Sequence, residues 1–110
     1  MRLKDRVALV TGGGTGIGKA TSLLLASEGC DVAVNYSRSQ SEAEATVSEI
    51  EELGRRAIAV QADIADEQSV VEMFSQIDQT FGKLDILVNN AATTHFVAYT
   101  DLDGLTGEIW

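Results

Sequence analysis

Short apolar runs alternate along this chain with stretches whose apolar residues recur at helical spacing. Arg6 to Val10, "RVALV", is β-branched and apolar and stops at glycines, which predicts a strand covered on both faces. Ile17, Ala20 and Leu24 then share one face of a helix, and Gly29 after Glu28 is a natural stop. "DVAVN", Asp31 to Asn35, predicts a second strand. Ser41 and Glu44 have the spacing of a capping box, and Ala43, Val47, Ile50 and Gly54 follow on one face with acids opposite. "AIAVQ", Ala57 to Gln61, predicts strand three. Asp66 can cap a third helix with Val70, Phe74, Ile77 and Phe81 inward, closed by Gly82. "LDILV", Leu84 to Val88, predicts strand four. From Ala91 the pattern weakens to a loop leading toward a helix near Trp110.

Regular β and α alternation implies a parallel sheet, because each right-handed crossover needs a helix to bring the chain back. The expected fold is α/β: the first half of a doubly wound, Rossmann-type sheet, strand order 3-2-1-4. In such sheets ligands bind at the carboxyl ends of the strands.

Composition narrows the function. With 110 residues, 45% of them apolar, the chain suits a single domain. No apolar run reaches membrane-spanning length, and no apolar signal region follows the first charges. Acids outnumber bases 17 to 8, and a net charge of −9 argues against nucleic acid and anionic membranes as partners. A single cysteine, Cys30, at the start of strand two, fits a reducing cytoplasm and a buried, inert thiol. No metal-ligating set is expected.

The candidate chemistry starts at "TGGGTGIG", with five glycines between Gly12 and Gly18, at the turn from strand one to helix one. Glycine there tolerates positive φ and lets backbone N–H groups approach a diphosphate. The helix starting near Gly16 turns its positive end to that anion, and Gly18 lets helix and strand approach closely. A glycine turn without ligand is the plainer alternative.

Three motifs in order, each at a strand's carboxyl end, make the chain resemble the N-terminal half of a short-chain dehydrogenase/reductase. They are Thr11-Gly12 through Gly16-Ile17-Gly18, then Ala62-Asp63-Ile64, then Asn89-Asn90-Ala91-Ala92. The resemblance implies that Gly12, Thr15, Gly16 and Ile17 line the diphosphate and its riboses. Asp63 would meet the adenine amino group with Ile64 beside the ring, and Asn90 and Ala91 would lie along the nicotinamide ribose. Asn89 would tie strand four to its neighbours. Asp63 also reads as a loop or cap acid, and Ala92 departs from the family's glycine.

Strand two ends Asn35-Tyr36-Ser37-Arg38-Ser39. No acid stands at Tyr36, where NAD-binding members of the family carry one, and Asp31 is at the wrong end of the strand. Arg38 can instead pair a 2′-phosphate through its planar fork, with Ser37 and Ser39 donating to it. NADP(H) is therefore expected over NAD(H), although Thr15 stands where NADP-preferring relatives often have a base.

The family's proton donor is a tyrosine with a lysine four residues later. Tyr36 is followed at that distance by Gln40 and Tyr99 by Asp103, and the lysines are Lys4, Lys19 and Lys83. The expectation is a cofactor-binding half of an oxidoreductase, residues 1–110, truncated before the catalytic segment and without turnover. The intact enzyme would pass a hydride between NADP(H) and a carbonyl or alcohol and form a homo-oligomer. His95, Thr93 and Thr94 would stand near its substrate. Strand four would be left as an apolar edge prone to self-association. A catalytically inactive nucleotide-binding module is the main rival. A related epimerase-like or flavodoxin-like fold is another, against which "NNAA" argues.

Overall fold

The computed structural model describes residues 3–90 and 95–98, the last four by their backbone alone. Five strands form one sheet: β1 (Val7–Thr11), β2 (Asp31–Tyr36), β3 (Ala57–Gln61), β4 (Ile86–Asn89) and β5 (His95–Ala98). Among the described residues three helices connect the first four: α1 (Gly16–Ser27), α2 (Gln40–Glu52) and α3 (Glu67–Phe81). The order is β3-β2-β1-β4-β5, with β1 to β4 parallel as expected.

Side chains that alternate along the central strands enter two cores, one on each face of the sheet. Val7 and Leu9 of β1 join Val70, Met73, Phe74 and Ile77 of α3. Ala8 and Val10 join Leu25 and Ala26 of α1 and Ala43 and Ile50 of α2. Helices on both faces make the sheet doubly wound. Asp66 caps α3, its carboxylate accepting from the Gln68 N–H at 3.1 Å, and Gly82 ends it at φ +77°.

The structure assigns the face of α1 and corrects two expectations. The face of α1 carrying Ile17, Ala20 and Leu24 is turned to solvent, with Ile17 71% and Leu24 63% exposed. Gly18, Ser22, Leu25 and Ala26 face inward instead. Gly18 sets that rotation: a Cβ there would collide with the Gly12 carbonyl, so only a bare α-carbon fits where helix and loop meet. First, α2 starts earlier than Ser41. Ser39 is its N-cap residue, its carbonyl accepting from the Ala43 N–H at 3.0 Å, and Glu44 meets Gln40 Nε2 at 3.2 Å rather than closing a capping box.

Second, β4 is not left as an open edge. β5 runs antiparallel along it, with Asn89 opposite His95 and Ile86 opposite Ala98. Antiparallel pairing of neighbouring strands requires no helical crossover. The loop expected after Ala91 thus contains a strand. The expected terminal helix, and the positions Ala91, Ala92, Thr93 and Thr94, lie outside the described residues.

Candidate cofactor site

The glycine loop crosses the carboxyl end of the sheet between β1 and α1. Gly12 and Gly16 adopt φ of +63° and +55°, a left-handed geometry that favours glycine. Gly14 lies against α2, where a Cβ would stand 2.8 Å from the Ala43 α-carbon, and the Gly14 carbonyl accepts from Thr46 Oγ1 at 3.2 Å.

Two polar side chains flank the loop. On the β2 side, Asn35 Oδ1 accepts from the Gly12 N–H at 3.2 Å, and the Asn35 carbonyl accepts from the Gly13 N–H at 3.0 Å. On the β4 side, the Asn90 amide nitrogen stands close enough that a Cβ on Gly12 would lie 3.6 Å from it. Thr11 Oγ1 donates to Asn89 Oδ1 at 3.2 Å and accepts from the Asn90 N–H at 2.8 Å. Asn89 therefore ties β4 to β1, as expected.

The amides of Gly12 and Gly13 are thus spent within the fold. Among the described residues, no group takes up those of Gly14 and Thr15, and Gly16 and Ile17 open α1, where the first amides of a helix have no intrahelical partner. Neither Thr15 before α1 nor Ser39 before α2 caps its helix with its hydroxyl. Two positive helix ends therefore keep free donors at one place.

Between them lies a cleft of about 260 Å³, walled by Gly12, Gly14, Thr15, Asn35, Tyr36, Ser37, Arg38 and Ser39. Of the residues expected to bind the cofactor, Gly12, Thr15, Ser37, Arg38 and Ser39 meet in this wall. Gly16, Ile17, Asp63, Ile64 and Asn90 lie outside it, and Ala91 is beyond the described residues. Arg38 is exposed and makes no ion pair with the described residues. Among the described cations only Lys4 shares that state, since Arg6, Lys19, Arg55, Arg56 and Lys83 all meet carboxylates.

Asp63 and Ile64 have local partners. The Asp63 carboxylate accepts from the Ala65 N–H at 2.9 Å, a turn bond that uses one oxygen. Ile64 is half-buried against the α3-side core. Asp31 sits at the far end of β2, where it accepts from Arg56 and pairs with Arg55, so it is remote from the cleft. Sequence reasoning missed Asn35 and Gly14 as parts of the site. A signal for Asn35 was present: an amide ending an otherwise apolar strand has to find internal partners.

A parallel 3-2-1-4 sheet, a glycine turn after β1 and a cleft at the strands' carboxyl ends define a Rossmann-type domain. The family model for short chain dehydrogenase matches residues 6–105, so the chain belongs to the short-chain dehydrogenase/reductase family. It is similar to the short-chain dehydrogenase/reductase homolog YusS of Bacillus subtilis, at 51% identity over 109 residues, covering 99% of this chain and 100% of that one. An L-rhamnose 1-dehydrogenase (NAD(P)(+)) of a Sphingomonas species is 45% identical over 91% of this chain and 39% of its own. A short chain dehydrogenase from Burkholderia cenocepacia, solved in complex with NADP, superposes with a TM-score of 0.81 at 52% identity, over 84% of this chain and 38% of that one. The chain thus spans all of one relative and under two fifths of the other two.

Proposed function

We propose that the chain binds NADP(H) across the carboxyl ends of β1 and β2. The observation that carries this reading is Arg38, without an acid partner, in one cleft wall with two helix starts whose capping hydroxyls are unused. The free amides from Gly14 to Ile17, over Gly12, hold the diphosphate, and Arg38, Ser37 and Ser39 hold the 2′-phosphate. The carboxylate oxygen of Asp63 not bonded to Ala65 faces the adenine amino group, with Ile64 at the ring edge. Asn90 and Ala91 line the nicotinamide ribose. The NADP complex of the Burkholderia relative supports the choice of ligand.

When bound, the nicotinamide supplies or takes up a hydride. The residues of this chain bind and orient the dinucleotide. The Tyr-x-x-x-Lys pair that would move the proton is not among its residues, so hydride exchange with a carbonyl or alcohol belongs to an intact, homo-oligomeric cytoplasmic enzyme of the family. The second reading, a nucleotide-binding module without turnover, rests on the absence of a Tyr-x-x-x-Lys pair from these residues.

Calorimetric titration of the purified chain with NADPH and NADH tests the proposal. NADPH is expected to bind at least about tenfold more tightly, the worth of one good charge-assisted contact. Equal affinities overturn the role of Arg38, and absence of binding by either overturns the site.

A further inference from the structure

The Asn35 side chain joins three parts of the sheet's carboxyl end. It is 2% exposed, in a cleft wall that it and Tyr36 of β2 share with residues of the two loops and helix starts. Its Oδ1 accepts from the Gly12 N–H at 3.2 Å. Its Nδ2 donates to the carbonyls of Val60 at 3.3 Å and Ala62 at 3.4 Å, at the end of β3. The partners fix which way the amide points, since only nitrogen can face two carbonyls and only oxygen can face an N–H. Its main-chain carbonyl takes the next loop amide, from Gly13, at 3.0 Å.

We infer that Asn35 is a positioning residue for the cofactor, holding the diphosphate loop in register with the ends of β2 and β3. The inference rests on the nucleotide reading above. By consuming the first two amides of the loop, Asn35 turns the following ones, from Gly14 onward, toward the cleft. By anchoring on Val60 and Ala62 it fixes that cradle relative to Ser37–Ser39 on one side and Asp63 on the other. A dinucleotide has a set span between its 2′-phosphate and its diphosphate, and one buried amide governs whether both are met at once. Burying an amide in a sheet covered on both faces is costly unless every bond is made, which here it is.

The side chain and main chain of the same residue provide an internal control. In Asn35→Ala the Gly12 amide loses its acceptor, while the Gly13 amide keeps the residue-35 carbonyl. Without ligand, hydrogen exchange at Gly12 should accelerate by about tenfold or more with Gly13 little changed, because one protecting bond is lost. NADPH affinity should fall by about thirtyfold. Affinity for adenosine 2′-monophosphate, which carries the Arg38 phosphate but no diphosphate, should fall by less than about threefold. Asn35→Ser, which keeps a hydroxyl at the strand end, carries the same comparison if the alanine variant does not fold. Equal losses for both probes, or equal acceleration at both glycines, reduce Asn35 to a general stabilising residue and overturn the inference. Wild-type chain that binds neither probe overturns the nucleotide reading, and this inference with it.

Discussion

The two ends of the sheet treat polar groups in opposite ways. At the amino ends the buried acids are answered. Asp31 takes the Arg56 N–H at 3.1 Å, the Arg56 guanidinium at 3.0 and 3.2 Å and Arg55 at 3.2 Å. Asp85 takes the Val7 N–H at 2.9 Å and pairs with Lys83 at 3.3 Å. Helices α1 and α2 close on Gly29 and Gly54 in positive-φ turns. At the carboxyl ends, among the described residues, α1 and α2 begin without side-chain caps, several loop amides stay open, and Arg38 has no acid. Helix α3, whose start does not border the cleft, is capped by Asp66. One sheet thus has an end saturated for stability and an end left unsaturated where a ligand can complete it. The saturated end has one blemish among the described residues, the buried Nε of Arg55, which has no partner.

The largest effect is expected where the open end depends on a close backbone contact of its own. Gly18→Ala drives a Cβ into the Gly12 carbonyl and separates α1 from β1, so a loss of about 3 kcal/mol or more is expected in urea unfolding, with nucleotide binding abolished. Asp31→Ala strikes only the saturated end. It removes the carboxylate that Arg56 binds and one of the two beside Arg55, which keeps Asp5 at 3.4 Å, and should cost about 2 kcal/mol, while the folded fraction keeps its NADPH affinity. Arg38→Ala strikes only the open end. NADPH affinity should fall by about tenfold, about 1.4 kcal/mol, with NADH affinity and the melting temperature of the free protein unchanged. A fall in melting temperature would mean that Arg38 is structural.

The smallest effect concerns Cys30, fully buried just before β2. Burial, against a smaller opposing pull from Arg55, pushes its thiol from the ordinary 9.0 up to about 11. Between those values the folded state keeps a proton that the unfolded chain releases. This contribution is therefore fully present below about pH 9 and is lost as pH rises toward 11. Urea melts of wild type and Cys30→Ala should diverge in pH dependence only in that window.

The contrast between the ends also explains what the sequence made legible. Strands β1 to β4 read directly because parallel strands covered on both faces are continuous apolar runs. The α3 boundaries read directly because Asp66 and Gly82 act locally. The rotation of α1 did not, since Ile17, Ala20 and Leu24 form an apolar stripe that spacing alone would send inward. What turns the helix is the absence of a side chain at Gly18, a tertiary contact with Gly12. The start of α2 was missed because Ser41 and Glu44 satisfy a local rule that Ser39 and Gln40 pre-empt. β5 was missed because four residues paired antiparallel carry too little periodicity to stand out from a loop. At the site, the motif residues located the loop and Arg38. Which amides remain free depends on Asn35, whose partners lie 23 to 27 residues away in the chain.

The most direct test of the central claim follows backbone amides by NMR as NADPH is added to the intact 110-residue chain. The amides of Gly14, Thr15, Gly16 and Ile17 should move most, followed by Ser37 to Ser39, with Asp31, Arg56 and Asp85 unmoved. Saturable shifts at the amino ends of the strands, or none at the glycine loop, would contradict the assignment of the open end as the nucleotide site.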